Sequence, residues 1–192
     1  MKALLLVDVQ NDFCPGGSLA VRDGDQIIPI LNKYIAQFRK LKLPIFASRD
    51  WHPPITKHFV PYGGTWPVHC VQDTPGAAFR QGLDLTGVHI ISKGMNPELD
   101  SYSAFQGVDD AGVAFLNVLT KIGVSELYVG GLATDYCVKA SAIDAQQCGF
   151  ITKLLLDGSR AVDLKPGDGT RAIEAIVSAG VDAVTLDRVS VG

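Results

Sequence analysis

The sequence predicts an α/β fold: a single-domain three-layer sandwich with helices on both faces of a mostly parallel sheet of about six strands. Strand-like apolar runs alternate with segments of helical periodicity along the chain. Several of the strand-like runs are apolar at nearly every position, as in strands buried on both faces. The 192 residues, 47% of them hydrophobic and 19% charged, suit one domain over residues 1–192.

The predicted elements follow one another from the N-terminus. The first strand is Ala3–Val9, and a helix follows from Asp25 to Leu41, where apolar residues recur every three or four positions. Further strands are predicted at Pro44–Ser48, Val88–Ser92, Glu126–Gly130, Ile151–Leu156 and Val181–Leu186, with helices at Ala111–Ile122, around Cys137–Ala145 and at Asp168–Ala179. The connections Arg49–Leu85 and Lys93–Asp109 are unusually long, which is typical of functional loops.

Composition excludes several classes of protein. The formal charge is −3 and no run of lysine or arginine occurs, which argues against nucleic acid as a partner. The apolar runs are shorter than the ~20 residues of a membrane-spanning helix, and the N-terminal segment lacks a signal-peptide cleavage site. Four cysteines without framework spacing suit a reducing compartment. We therefore expect a cytoplasmic protein without disulfides and without a membrane partner.

The segment around Cys137 predicts a reactive thiol. Gly130-Gly131 is expected to end a strand, and Thr134 or Asp135 to cap the following helix. Cys137 would then lie in the first helical turn, where the helix dipole lowers a thiol pKa from its usual ~8.5. The alternative is an inert buried cysteine, which is the more common case for a single residue.

Residues capable of chemistry follow four of the predicted strands. Asp8 closes the first strand, Asp50 follows the second, Lys93 the third and Cys137 the fourth. Because ligands bind outside the carboxyl ends of strands in open parallel sheets, these residues are expected to meet along one edge. This convergence predicts an enzyme.

A cluster of metal-ligand types occupies the first long connection. Asp50, His52, His58 and His69 offer one carboxylate and three imidazoles, which suits one divalent metal ion: zinc, iron or manganese. Each histidine taken singly is more often a surface or hydrogen-bonding residue than a ligand. His89 lies within a predicted strand and is expected to be structural.

Five segments together resemble one family over essentially the whole chain. They read LLLVDVQNDFCPGGSL, RDWHP followed by His58, WPVHCVQDTPGAAF, KGMNPELDSYSAF and VGGLATDYCVKASAIDA. The chain resembles the nicotinamidase (pyrazinamidase) branch of the isochorismatase-like cysteine hydrolases. The resemblance implies conversion of nicotinamide to nicotinate and ammonia, with pyrazinamide as a second substrate, in NAD salvage. Relatives include monomers and homodimers.

The resemblance also implies roles for individual residues. Asp8, Lys93 and Cys137 would form the catalytic triad, and Cys137 would form a thioester with the substrate. The backbone N–H groups of Ala133 and Cys137 would form the oxyanion hole, with a cis peptide bond between Leu132 and Ala133. In relatives, residues matching Asp50, His52 and His69 hold the metal, with His58 the fourth ligand in some. The residues expected to enclose the substrate ring are Phe13, Leu19, Trp66 and Tyr102.

Two other readings stay open. A sister hydrolase of the same fold would act on a carbamoyl or ureido amide such as N-carbamoylsarcosine, or on isochorismate. Val68 and Asp73 depart from the family pattern, and these departures bear on the shape of the loop at the rim of the site and so on which larger amides are accepted. A chelator that abolishes turnover would favour the nicotinamidase. The third reading is a metal- or redox-binding protein with an idle pocket, which would show reversible cysteine oxidation without amide turnover.

Overall fold

The computed structural model describes residues 1–189, so the last three residues of the predicted domain lie outside it. Six strands form one sheet: β1 (Lys2–Val7), β2 (Ile45–Asp50), β3 (His89–Lys93), β4 (Glu126–Leu132), β5 (Ile151–Arg160) and β6 (Asp182–Val184). The helices are α1 (Ile28–Lys40), α2 (Phe115–Lys121), α3 (Lys139–Gln147) and α4 (Asp168–Ser178). Within residues 1–189, none of these helices is long and apolar enough to cross a membrane.

The sheet order is β3-β2-β1-β4-β5-β6, and every neighbouring pair is parallel. From β1 the chain proceeds outward through β2 and β3, and then returns to place β4 on the other side of β1. Val7 at the end of β1 therefore lies opposite Ser48 of β2 and Gly131 of β4. This reversal creates a topological switch point beside β1, which is where ligands bind in open α/β sheets.

Helices cover both faces of the sheet, so the predicted three-layer fold is confirmed. Consecutive residues of β1 point to opposite faces. Leu4 and Leu6 belong to the core beneath α1, and Leu5 and Val7 belong to the core beneath the other three helices. The side chains that fill these two cores are apolar and almost completely buried: Leu31, Ile35 and Phe38 on one face, and Phe115, Leu119, Ala142 and Ile176 on the other.

Several predicted boundaries are wrong for local reasons. The helix predicted from Ala111 begins only at Phe115, because the Asp109 carboxylate accepts the N–H groups of Ala111 and Val113 and holds a turn there. A 3-10 turn over Gly24–Ile27 precedes α1. β5 runs on to Arg160, past its predicted end at Leu156, and β6 covers only Asp182–Val184 of the strand predicted at Val181–Leu186.

The glycine pair in β4 does not end the strand, contrary to the prediction. β4 continues through Gly130 and Gly131 to Leu132. A Cβ atom at Gly131 would lie 2.1 Å from the carbonyl oxygen of Val7, and the φ angle of Gly131 is +133°. Glycine is required here because β1 and β4 approach closely at the switch point.

Candidate active site

The four residues predicted to converge do meet at the carboxyl edge of the sheet. Asp8 directly follows β1 with a left-handed φ of 48°, Asp50 ends β2 and Lys93 ends β3. Cys137 comes shortly after β4. The carboxylates of Asp8 and Asp50 and the sulfur of Cys137 lie within 4.8 Å of one another, and all three residues are buried.

Lys93 lies at the centre of this group. Its Nζ is 2.9 Å from Oδ2 of Asp8 and 3.6 Å from Sγ of Cys137, and it donates to Oδ1 of Asp50. The side chain is completely buried. Burial lowers the pKa of the Lys93 ammonium, but the carboxylates of Asp50 and Asp8 raise it more, to well above its usual value. Lys93 is therefore a buried cation that neutralises two acids and faces the thiol.

The two carboxyl groups differ in acidity although both are buried. Burial and the nearby Asp50 carboxylate together raise the pKa of Asp8 by more than the Lys93 ammonium and the Ser48 hydroxyl, which donates at 2.6 Å, lower it. Burial also raises the pKa of Asp50, but Lys93 and the imidazoles of His52 and His69 outweigh it, so the net shift is downward. Because the pKa values of the two acids are shifted in opposite directions, the acids take different roles: Asp8 can exchange a proton, and Asp50 stays an anion.

Cys137 lies in a π-helical turn, Thr134–Val138, that precedes α3. The Val138 N–H donates to the Ala133 carbonyl at 3.1 Å, which closes the wide turn. The predicted cap is wrong, because the Asp135 carboxylate instead accepts the N–H groups of Val162 and Asp163, each at 2.9 Å. The predicted cis peptide bond between Leu132 and Ala133 is confirmed.

The predicted fall in thiol pKa is also wrong. Burial raises the pKa of the Cys137 thiol well above its usual value, and Asp8 and Asp50 raise it further, whereas Lys93 lowers it. Cys137 is therefore a protonated thiol beside a base and a cation. Such a thiol becomes a nucleophile when its proton is removed during the reaction.

The three loop histidines are brought together next to Asp50. One ring nitrogen from each of His52, His58 and His69 lies within 4.8 Å of the others. The Nδ1 atoms of His52 and His69 lie 3.0 and 2.7 Å from the carbonyl oxygens of Gly94 and Pro67. Because a carbonyl only accepts, each Nδ1 carries the hydrogen and leaves Nε2 free as a ligand.

This group fits a divalent metal ion. The Nε2 atoms of His52 and His69 lie 3.7 and 3.9 Å from Oδ2 of Asp50. Nε2 of His52 is buried and has no hydrogen-bond partner among residues 1–189, an arrangement that normally costs about 1–3 kcal/mol. Burial lowers the pKa of His69 to about 4, so this imidazole is neutral, as ligation requires. Asp50, His52, His58 and His69 together offer one carboxylate and three imidazoles.

A cavity that is partly open to solvent joins the thiol to the histidines. Its lining includes Cys137, Ala133, Asp50, His58 and His69. The other predicted pocket residues, Phe13, Leu19, Trp66 and Tyr102, lie in the same wall. Trp66 Nε1 donates to the Tyr102 hydroxyl at 2.9 Å, which fixes two rings relative to each other. The cavity suits a small aromatic molecule that carries a polar group.

Sequence reasoning missed some residues of the site. Tyr136 lines the cavity and packs edge-on against Trp66, with the two ring centroids 5.0 Å apart. Its position next to Cys137 in the sequence is the signal that could have identified it. Gln10 holds the end of β2, since its side chain accepts the Asp50 N–H and donates to the Asp50 carbonyl. Val162 lines the cavity from the connection after β5, where the sequence carries no signal.

Comparisons with known proteins identify the family of this chain. The Isochorismatase domain family matches residues 2–188. The "Nicotinamidase/pyrazinamidase" of Mycobacterium tuberculosis is 40% identical over 189 residues, covering 96% of this chain and 98% of that protein.

Two solved structures share the fold. The pyrazinamidase of Pyrococcus horikoshii in complex with zinc superposes with a TM-score of 0.87 at 44% identity, covering 96% of this chain and 99% of that one. PnC1 from L. infantum in complex with nicotinate has a TM-score of 0.87 at 36% identity, with 97% and 93% covered. The family match over nearly the full length, together with the shared fold, establishes that this chain belongs to the isochorismatase family of hydrolases.

Proposed function

We propose that this protein hydrolyses nicotinamide to nicotinate and ammonia through a thioester on Cys137, and that it accepts pyrazinamide in the same way. One observation carries the proposal: a single buried ammonium, that of Lys93, joins the acid beside the thiol to the acid beside the histidines. The names of its relatives, which include a nicotinamidase/pyrazinamidase and a complex with nicotinate, support the substrate.

The first half of the reaction forms the thioester. Asp8 takes the proton of Cys137, and the sulfur attacks the amide carbon. The N–H groups of Ala133 and Cys137 hold the oxygen of the tetrahedral intermediate, where one donor is typically worth ~2.7–4 kcal/mol. Asp8 then gives its proton to the amide nitrogen, the C–N bond breaks and ammonia leaves. The raised pKa of Asp8 suits a group that both takes and returns a proton.

The second half returns the enzyme to its starting state. Water attacks the thioester carbon while Asp8 accepts one of its protons, and the C–S bond breaks to release the carboxylic acid, which loses its remaining proton to solvent and becomes the carboxylate. The proton on Asp8 then returns to the Cys137 sulfur. Lys93 keeps its charge throughout, which stabilises the thiolate whenever it forms.

Asp50, His52, His58 and His69 would hold the metal, which when bound supplies a Lewis acid that accepts the lone pair of a heterocyclic nitrogen. Such an acceptor explains why the histidines share a cavity with the thiol. Phe13 and Trp66 would pack against the ring, and Tyr102 would position Trp66. Leu19 would contact the ring edge. A flat ring with a nitrogen at one side and a carboxamide at the other matches this arrangement.

Ammonia release from nicotinamide by zinc-loaded protein tests the proposal. Cys137→Ala should lower the rate by ~10²-fold or more, because no nucleophile remains. Cys148→Ala is the matched control, since Cys148 is exposed and does not line the cavity. Turnover retained by Cys137→Ala would end the covalent mechanism.

The second candidate is a sister hydrolase that acts on a carbamoyl or ureido amide. The free nitrogen of His52 argues against it, since it has no purpose without a metal. Removing the metal with a chelator should abolish nicotinamide turnover and zinc should restore it. Turnover of N-carbamoylsarcosine that is indifferent to the chelator, with nicotinamide inert, would favour the sister hydrolase.

We also propose that residues 1–192 act as a single domain in the cytoplasm, as part of nicotinamide salvage. The four cysteines are all free, which suits a reducing compartment. Cell fractionation tests the location. The protein would work as a monomer or a homodimer, and sedimentation of the zinc-loaded protein distinguishes the two.

A further inference from the structure

His58 differs from the other two imidazoles in what holds it. His52 and His69 are held by main-chain carbonyl oxygens, whereas Nδ1 of His58 donates to the carboxylate of Asp100. The His58 side chain is buried, but 59% of the Asp100 side chain is exposed. The acid therefore reaches inward from the surface to a buried ring.

Two loops meet at this contact, and they are held together independently of it. His58 belongs to the connection after β2, and Asp100 to the connection after β3. The Lys57 N–H and the Thr56 hydroxyl both donate to the Pro97 carbonyl, at 2.9 and 3.1 Å. Loss of the Asp100 carboxylate would therefore leave the loops joined while it released the ring of His58.

We propose that Asp100 is a positioning residue that makes His58 a metal ligand and so sets the affinity of this protein for its divalent ion. A carboxylate acceptor at Nδ1 fixes the tautomer with Nε2 free, fixes the plane of the ring and increases the electron density on Nε2. A carbonyl acceptor supplies the first two effects but carries no full charge. The inference rests on the metal centre of the proposed function.

Zinc affinity of the whole protein is the direct test. Metal-stripped protein is titrated with Zn²⁺ against a chromogenic chelator that competes for the ion. Asp100→Ala should weaken zinc binding by about 10- to 100-fold, the usual effect of losing such a partner. Asp100→Asn should weaken it less, because the amide oxygen still accepts the Nδ1 hydrogen without the charge. Glu98→Gln, which alters a neighbouring acid that pairs with Lys57, should stay within about twofold of the unmodified protein.

A second measurement separates an effect through His58 from a general effect on the loop. In a His58→Ala background, Asp100→Ala should change zinc affinity by less than about twofold, because the two residues act as one unit. A further tenfold loss in that background would overturn the proposed route. Unchanged zinc affinity in Asp100→Ala would overturn the inference and leave the proposed amidase intact. Failure of the unmodified protein to bind zinc would overturn both.

Discussion

At the scale of a single residue, Lys93 connects the nucleophile of the site to its group of metal-ligand residues. It lies between Asp8, which serves the thiol, and Asp50, which serves the histidines. Two buried carboxylates this close repel each other, and the ammonium compensates both. The nucleophile and the ligand set therefore share one counter-ion.

Replacement of Lys93 by methionine should affect stability as well as catalysis. The change leaves two buried acids without their cation, which typically costs about 3–5 kcal/mol of unfolding free energy. Nicotinamide turnover should fall at least ~10²-fold, because the thiolate loses its stabilising charge. Urea denaturation and ammonia release measure the two effects. Lys33→Met on the exposed face of α1 is the control, and equal stability of the two variants would contradict this role.

Gly94 fits against His52 so closely that no side chain can be added. Its φ angle is +72°, and a Cβ atom there would lie 2.6 Å from Cε1 of His52. Gly94→Ala should displace the His52 ring and weaken zinc binding by about tenfold or more. Gly87→Ala is a matched control, because Gly87 has φ +70° and, apart from Gly87 and its two chain neighbours, no residue of 1–189 would have an atom within 4 Å of the added Cβ. Equal zinc affinities in the two variants would refute the contact.

The backbone conformation at Asp73 explains why the departure from the family pattern there is tolerated. The resemblance implies glycine at this position, and the structure gives Asp73 a left-handed φ of 62°. Glycine adopts this conformation freely, and aspartate is among the few other residues that tolerate it. The departure therefore preserves the backbone turn.

At the scale of elements, the π-helical turn depends on a partner outside itself. Asp135, within that turn, binds the backbone of Val162 and Asp163 in the connection after β5. Asp163 in turn accepts the Gly169 N–H at the start of α4. The turn that carries Cys137 is thus tied to the cavity wall at Val162.

Asp135→Ala should remove the hydrogen bonds that hold Val162 in the cavity wall. Two partly buried N–H groups lose a charged acceptor, which we expect to lower the free energy of unfolding by about 1–3 kcal/mol. The KM for nicotinamide should rise, because Val162 no longer holds its position in the cavity. Steady-state kinetics and urea denaturation measure the two effects, with Asp135→Asn as the conservative variant. An unchanged KM in Asp135→Ala would show that the wall is held by other contacts.

The helices and strands could be predicted from sequence where one apolar pattern extends over the whole element. β1 and α1 carry long apolar patterns, and the carboxyl ends of the strands converge as topology requires. The start of α2 was missed because the Asp109 side chain competes with the helix, and Gly131 was misread because its neighbour Val7 is distant in sequence. The contact of Lys93 with Asp50 depends on the pairing of β3 with β2, which places the two residues opposite each other and which no local pattern encodes.

At the scale of the whole molecule, weak acids buried in the core on the α1 side of the sheet make the stability fall at alkaline pH. Burial raises the pKa of Cys14 to about 11 and is also the main cause of upward shifts at Tyr34, Cys70 and Tyr128. In the unfolded chain a thiol ionises near pH 9, whereas the folded protein keeps Cys14 neutral to about pH 11. The unfolded state thus loses protons first, and stability falls as pH rises from about 9 to 11.

Cys14→Ala should lose less stability with rising pH than the unmodified protein. Between pH 8 and 10.5 the difference in the loss should be about 2 kcal/mol, the contribution of one such thiol. Urea denaturation at the two pH values measures it under reducing conditions. Cys148→Ala, at an exposed position, serves as the control. A loss of stability in Cys14→Ala as large as in the unmodified protein would show that ionisation of Cys14 does not cause this pH dependence.

The sheet order has a consequence for how active protein is made. β1, β2 and β3 all precede β4 in the chain, so the edge of β1 that pairs with β4 stays uncovered until β4 has been synthesised. The base on β1 and the nucleophile beyond β4 come together only at that closure. Contacts between such distant segments form slowly, and an uncovered strand edge invites aggregation. Changes at Gly131, where β4 seats against β1, should therefore reduce the yield of soluble enzyme more than the turnover number of the molecules that do fold.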